Sequence, residues 1–149
     1  MKAPNFSLPD SKSVVHNLSD YSGKWLIVYF YPKDNTPGCT KEACGFRDNI
    51  DAFAKSNVNI IGISKDSVES HNKFSHKFKL NFPILSDEST ETIKAFGAWG
   101  PKKFMGKEYS GTQRKTFLID PKGEIKKVYE KVNPTEHAKE ILKDIKELV

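Results

Sequence analysis

Trp25-Leu-Ile-Val-Tyr-Phe-Tyr31 and the segment after it, Pro32-Lys-Asp-Asn-Thr36-Pro-Gly-Cys39, decide how the chain reads. A strand with one wet face alternates apolar and polar residues; a run of consecutive aromatic and β-branched residues is what a strand covered on both faces shows. Trp25–Tyr31 is therefore expected to be the central strand of a sheet. Pro32 has no N–H to give to a ladder and ends it. Beyond the loop Lys33–Gly38, Ala43, Phe46, Ile50 and Phe53 recur at helical spacing, which predicts an amphipathic helix from about Pro37 or Cys39 to Lys55. The order strand, loop, helix sets the loop against the helix N-terminus.

Outward from this unit the alternation continues. Val58–Ser64 (VNIIGIS) is a second buried-strand candidate, and Asp66 with Glu69 reads as a capping box opening a helix that carries Val68, Phe74 and Phe78. Asn81–Leu85 is expected as a short strand and Thr90–Phe96 as a short helix. Arg114–Asp120 should be a strand that turns through Asp120-Pro-Lys-Gly123 into a hairpin partner, Glu124–Val132. Asn133 as cap, Pro134 at the first position and Glu136 in the box open a last helix, with Ala138, Ile141, Leu142, Ile145 and Leu148 on its buried side. Ahead of the central strand, Phe6–Leu8 and Val14–Leu18 are strand-like. A parallel βαβ half followed by a ββα half predicts a mixed central sheet in a thioredoxin-like three-layer α/β/α sandwich. With no repeat, linker or low-complexity tract, residues 1–149 are expected to form one domain.

Composition narrows the function classes. The chain has 149 residues, 37% hydrophobic and 11% aromatic, enough for a sizeable core. A net charge of +5, from 24 basic and 19 acidic residues, raises the question of nucleic acid. The charges are interspersed, however: Lys122–Val149 holds seven lysines and six acids at helix-pairing spacings. With no RNA-binding aromatic signature and no arginine run, no nucleic-acid partner is expected. No apolar stretch approaches the roughly 20 residues that span a bilayer, and the opening MKAPNFSLPD lacks the apolar run of a signal peptide. No membrane partner and a cytoplasmic location are the expectation. Two cysteines in a reducing compartment point to redox chemistry or a metal rather than to a disulfide scaffold.

Cys39 falls where a buried strand hands over to a helix, near unpaired backbone N–H groups that favour a thiolate. Moving a thiol pKa from about 8.5 to about 6 takes about 3.4 kcal/mol. A helix end supplies about 0.3–1 kcal/mol, up to roughly 2 when partly buried, so a cationic partner is wanted. Only two arginines exist. Arg47 lies two turns along the same helix and is placed to brace another element; Arg114, opening a strand of the same sheet, would present several fixed donors, or else pair with an acid at the strand edge. Cys44 is five residues after Cys39; in regular helix their α-carbons would lie roughly 8.7 Å apart, beyond the disulfide limit of about 7 Å. Either the thiols are unrelated, or a disulfide forms only when the first turns unwind, which Pro37, Gly38 and Gly45 would ease. Cys39, Cys44, His71 and His76 superficially form a zinc set, but the 26 residues between Cys44 and His71 include a predicted strand, so no metal is expected. His71 and His76 read as surface histidines and His16 and His137 as isolated ones. No Walker loop, GxGxxG or Ser/His/Asp set is present, and no cofactor is expected.

Pro32-x3-Thr36-x2-Cys39 resembles the active-site motif of the peroxiredoxins. TPGCTKEAC, with its second cysteine five residues on, is similar to the peroxiredoxin Q, or bacterioferritin-comigratory-protein, subfamily, and the likeness continues through GISKD, FPILSDE, WGPKKFMGKEYSG and Arg114–Asp120. The resemblance implies a thiol-dependent peroxidase of antioxidant defence that reduces hydrogen peroxide and organic hydroperoxides. Cys39 would be the peroxidatic nucleophile, Thr36 would hold the peroxide, Arg114 would stabilise thiolate and transition state, and Pro32 would shield the thiolate from water. Cys44 would resolve the sulfenic acid as a Cys39–Cys44 disulfide, recycled by thioredoxin or a similar dithiol protein, in a monomer. Glu42 matches a frequent acidic position of the family, with helix-N-terminal charge as sufficient structural reason. The alternatives are a thiol redox sensor or relay of the same fold and, in a different class, a zinc or nucleic-acid module.

Overall fold

The computed structural model describes residues 1–148, apart from the side chain of Phe104. Strands β1 (Ser7–Pro9) and β2 (Val15–Asn17) form a small antiparallel pair, and a 3-10 turn (Leu18–Tyr21) leads into β3 (Trp25–Phe30). Then follow α1 (Pro37–Asp48), α2 (Ile50–Lys55), β4 (Val58–Ser64), α3 (Val68–Phe78), β5 (Ile84–Ser86) and α4 (Glu91–Ala95). The chain closes with β6 (Trp99–Phe104), β7 (Lys107–Thr112), β8 (Lys115–Ile119), β9 (Ile125–Tyr129) and α5 (His137–Leu148). The main sheet has the order β5-β4-β3-β8-β9. β3 and β4, and β4 and β5, run parallel; β8 pairs antiparallel with both β3 and β9. The parallel βαβ half and the ββα half are thus both present, joined at β3 in the middle.

The apolar run of β3 is continuous because both its faces are covered. Ile27 and Tyr29, with Tyr31 just beyond the strand, enter one core cluster with Phe46 of α1, Phe53 of α2, Phe74 of α3 and Ile141 and Ile145 of α5. Leu26, Val28 and Phe30 enter the other, with Phe6, Ile93 of α4 and Phe96. The longer helices all lie on the first face; α4, the 3-10 turn and β1 cover the second.

Several sequence expectations are corrected. The helix expected over 37–55 breaks at Asn49, whose side-chain amide donates to the Gly45 carbonyl at 2.7 Å and separates α1 from α2. Ser67, not Asp66, caps α3, accepting from the Ser70 N–H at 3.1 Å. The strand expected from Asn81 begins only at Ile84, after Pro83. Asn133 caps a turn ahead of α5 by accepting from the Thr135 N–H at 3.1 Å, and Leu148 is exposed at the helix end. The β6–β7 hairpin has no counterpart among the expected strands; it turns at Met105-Gly106, both with positive φ (51° and 79°), the geometry of a two-residue hairpin loop.

Gly62 has a packing role. It faces Tyr29 across the β3–β4 register, and a Cβ there would lie 2.8 Å from the Tyr29 ring. That ring cannot retreat, being stacked against Phe46 with centroids 4.7 Å apart. Gly62→Ala should therefore destabilise the protein by roughly 1–3 kcal/mol through overpacking, read as a lower urea midpoint at unchanged m-value.

Candidate active site

Cys39 is the third residue of α1, behind Thr36 at the cap and Pro37 at the first helical position. The first bond of the helical ladder runs from the Thr40 N–H to the Thr36 carbonyl at 2.9 Å, which leaves the N–H groups of Gly38 and Cys39 ahead of the ladder. Pro37 fixes the helical start without wasting a donor. The Cys39 side chain is buried, and the Thr36 hydroxyl donates to the Lys33 carbonyl at 3.1 Å.

Arg114, between β7 and β8, reaches this helix end and divides its two forks. Nη2 donates to Cys39 Sγ at 3.2 Å and Nη1 to Glu42 Oε1 at 2.9 Å. Of the two readings of Arg114, thiolate partner or salt-bridge partner, the geometry supplies both at once. Gly38 makes the approach feasible, since a Cβ on it would lie 3.0 Å from Arg114 Nη2. Burial opposes the Arg114 charge, but the sulfur and carboxylate beside it, each hydrogen-bonded to it, outweigh that and hold the guanidinium above its usual range.

Glu42 is where the sequence reading fails. It sits beyond the first turn of α1, so helix-terminal charge is not its reason for being there; its side chain is buried and Oε2 has no hydrogen-bond partner. Burial pushes its carboxyl up to about 7, against the lowering pull of Arg114. The sequence signal available was the spacing: Cys39 and Glu42, at i and i+3, lie on one helix face.

The loop between β3 and α1 is tied down by a second buried network. The Asp34 carboxylate accepts from the Tyr31 hydroxyl at 2.6 Å and the Ser70 hydroxyl at 2.8 Å, and lies 2.7 Å from His71 Nδ1. His71 Nε2 is 2.9 Å from the Leu85 carbonyl, and Asp66 accepts the Asp34 N–H at 2.9 Å. His71 is thus wholly buried rather than a surface residue, because it joins this loop to β5; His76 is exposed as expected. Asp34, Asp66 and His71 are the residues that lie close enough to share an ion among the described ones, and Cys39, Cys44 and His76 are not in that group. His137 is likewise not isolated: it is buried, with Nε2 2.7 Å from Thr116 Oγ1 and Nδ1 3.1 Å from Glu140.

Cys44 lies in the same helix, half-exposed, and both thiols are free. The far end of α1 is held by Arg47, which donates to the Phe78 carbonyl at 2.7 Å, and by Asn81, which donates to the Arg47 carbonyl at 3.2 Å. Arg47 braces α3, as its position in the sequence implied. Pro32 lines the same surface depression as Arg114, together with Pro101, Lys102, Lys115 and Val132. The five expected site residues therefore divide: Cys39 and Arg114 are in contact, Pro32 lines a depression that Arg114 also lines, Thr36 occupies the N-cap position of α1 with its hydroxyl turned to Lys33, and Cys44 stands off along the helix.

Residues 1–128 match the AhpC/TSA family. The chain belongs to that family. Peroxiredoxin Bcp of Escherichia coli strain K12 is 47% identical over 145 residues, covering 97% of this chain and 93% of that protein. Peroxiredoxin Bcp of Bacillus subtilis strain 168 is 46% identical over 147 residues, covering 99% and 94%. Among solved structures, a mutant of Xylella fastidiosa PrxQ superposes with a TM-score of 0.93 at 38% identity, covering 98% of this chain and 91% of that one. Xanthomonas campestris bacterioferritin comigratory protein, whose structure was described for its alkyl peroxide reduction, gives 0.91 at 37% identity, covering 96% and 91%. The AhpC/TSA fold is the thioredoxin-like one expected, and the activity class is that of a thiol-dependent peroxidase.

In this AhpC/TSA chain the raised Glu42 carboxyl has a measurable sign. Folded, it keeps its proton up to about 7, whereas its ordinary value is 4.5. Between these values the folded state holds one proton more than the unfolded chain, so stability falls as pH rises; the contribution is fully present below about 4.5 and lost as pH passes 7. Urea titrations of wild type and Glu42→Gln should show the wild type losing on the order of 3 kcal/mol relative to the variant between pH 5 and pH 8. A difference independent of pH would contradict the assignment.

Proposed function

We propose that Cys39 is the peroxidatic nucleophile of a peroxidase acting on hydrogen peroxide and organic hydroperoxides, with Cys44 as its resolving thiol. The observation that carries this reading is the Arg114 guanidinium on Cys39 Sγ. A buried sulfur at a helix N-terminus, in contact with a permanent cation, is favoured as the thiolate that attacks.

The thiolate attacks the terminal peroxide oxygen. The S–O bond forms, the O–O bond breaks, Cys39 becomes a sulfenic acid, and the departing oxygen takes a proton and leaves as an alcohol or as water. Negative charge moves from sulfur toward the leaving oxygen, so the guanidinium and the free N–H groups of the first helical turn stabilise the transition state more than the ground state. The Thr36 hydroxyl, whose proton goes to Lys33, keeps lone pairs with which to accept from the peroxide. Pro32 presents an apolar wall that offers water no hydrogen bond. Glu42 orients the guanidinium through Nη1.

The Cys44 thiol then displaces hydroxide from the sulfenic sulfur, giving a disulfide and water. Both cysteines occupy one intact helix in the thiol form, and the separation implied by that helix exceeds what a disulfide spans. Resolution therefore needs the first turns of α1 to unwind while Arg47 and Asn81 hold its far end. A dithiol protein of the thioredoxin kind restores both thiols by exchange. The chain is read as one domain, a cytoplasmic monomer; among the described residues no helix is long and apolar enough to cross a membrane.

Cys39→Ser should abolish peroxide consumption, and Cys44→Ser should allow one turnover that ends at sulfenic acid, both read by stopped-flow titration with thiol counting. Multiple turnover by Cys39→Ser would defeat the assignment. Arg114→Ala should lower the second-order rate with peroxide by roughly 100-fold or more, the scale of losing one oriented donor to developing charge.

A further inference from the structure

The segment that carries Pro32 and Thr36 and leads into Cys39 has no apolar hold on the rest of the fold. Between Tyr31 and Cys39 the one buried residue is Asp34; Lys33 and Asn35 on either side of it are exposed, and Asn35 has a φ of 59°. Asn35 adds only an exposed contact, accepting from Lys77 Nζ at 3.4 Å. Among the described residues, the other hydrogen bonds from 32–36 to distant elements all run through Asp34. Its carboxylate takes the Ser70 hydroxyl and faces His71 Nδ1, and its N–H gives to Asp66, which is itself fixed by the Ser64 hydroxyl at 2.6 Å. His71 is the wholly buried member of the set. Its Nδ1 meets the Asp34 carboxylate and its Nε2 the Leu85 carbonyl, so both ring nitrogens face acceptors and the Asp34–His71 pair holds one proton more than a neutral ring beside a carboxylate would. Among the described residues, no member of this cluster bonds to Cys39 or Arg114, and the chemistry derived above gives it no task.

We propose that Asp34 and His71 are positioning residues that hold the near end of α1 closed and thereby set the rate of the resolving step. The proposal rests on the reading of Cys39 and Cys44 as the peroxidatic and resolving thiols. Residues 32–36 run directly into α1, and the first turns of α1 have to unwind before the two sulfurs can meet. The strain of unwinding falls on the residue where the loop is attached, and that residue is Asp34. In the thiol form the closed helix dominates. Weakening the latch then multiplies the small open fraction while leaving the closed fraction nearly unchanged. The pair therefore acts on disulfide formation and not on attack by peroxide, whereas a residue that only supported the peroxide site would act on the attack.

The test times two steps separately after reduced protein is mixed with one equivalent of hydrogen peroxide. Peroxide loss gives the second-order attack, and acid quenching with mass spectrometry gives the first-order formation of the Cys39–Cys44 disulfide. Asp34→Ala and His71→Leu should each speed disulfide formation roughly tenfold or more, the scale of losing a buried hydrogen bond to a charged group. The peroxide step should stay within about threefold of wild type, because the closed form still dominates. Asp34→Asn, whose amide can donate to a neutral His71 ring, should fall between wild type and Asp34→Ala. Ser70→Ala removes one donor to Asp34 at a helical position that accepts alanine; it should give a smaller increase, and it decides the matter if the larger changes prevent folding. Disulfide formation unchanged or slower in the variants that fold, or both steps slowed together, would overturn the proposal. Wild type that leaves the peroxide intact, or consumes it without joining Cys39 to Cys44, would defeat the reading of the two thiols and this proposal with it, a result visible before any variant is made.

Discussion

One guanidinium between two acids organises this molecule. Arg114 touches the sulfur of Cys39 with one fork and the carboxylate of Glu42 with the other, and both acids belong to the same helix. The contact therefore fixes the start of α1 against the connection between β7 and β8 as well as setting the electrostatics of the thiol. The arrangement is costly in isolation, because Glu42 is buried with one oxygen unpartnered. It is the kind of local expense expected where charge, rather than packing, is what the site supplies.

The same helix carries a second, opposed requirement. Intact, α1 places Cys39 at the N-terminal turn and completes the donor set; its regular geometry also keeps Cys44 away. In the proposed cycle, chemistry with peroxide needs the folded helix, and joining the two sulfurs needs it open. The distribution of restraints fits that alternation: the far end of α1 is held to α3 by Arg47 and Asn81, whereas the near end depends on the Arg114 contact and a loop anchored through Asp34. In that proposed cycle, oxidation of the sulfur changes the group that Arg114 contacts, which weakens the near end at the step where it must yield.

Much of this was legible in the residues. The unbroken run Trp25–Tyr31 marked a doubly covered strand because its alternate side chains do enter separate clusters, and two arginines left few choices for a cationic partner. What escaped was tertiary. Glu42 and His71 have polar side chains at unremarkable helical positions, and only their partners on other elements show that they are buried. The β6–β7 hairpin was hidden by Pro101 and five lysines or glycines in strands that lack apolar alternation, its Met-Gly turn being the one local cue. The break at Asn49 depends on a side-chain bond that interrupts an otherwise continuous helical period.

The most direct test of the central contact is the rate at which hydrogen peroxide oxidises Cys39, followed by stopped flow at fixed neutral pH in a Cys44→Ser background with and without Arg114→Gln. The account predicts a second-order rate lowered by roughly 100-fold or more once the guanidinium is gone. Equal rates in the two proteins would show that the contact of Arg114 with the sulfur does not activate it.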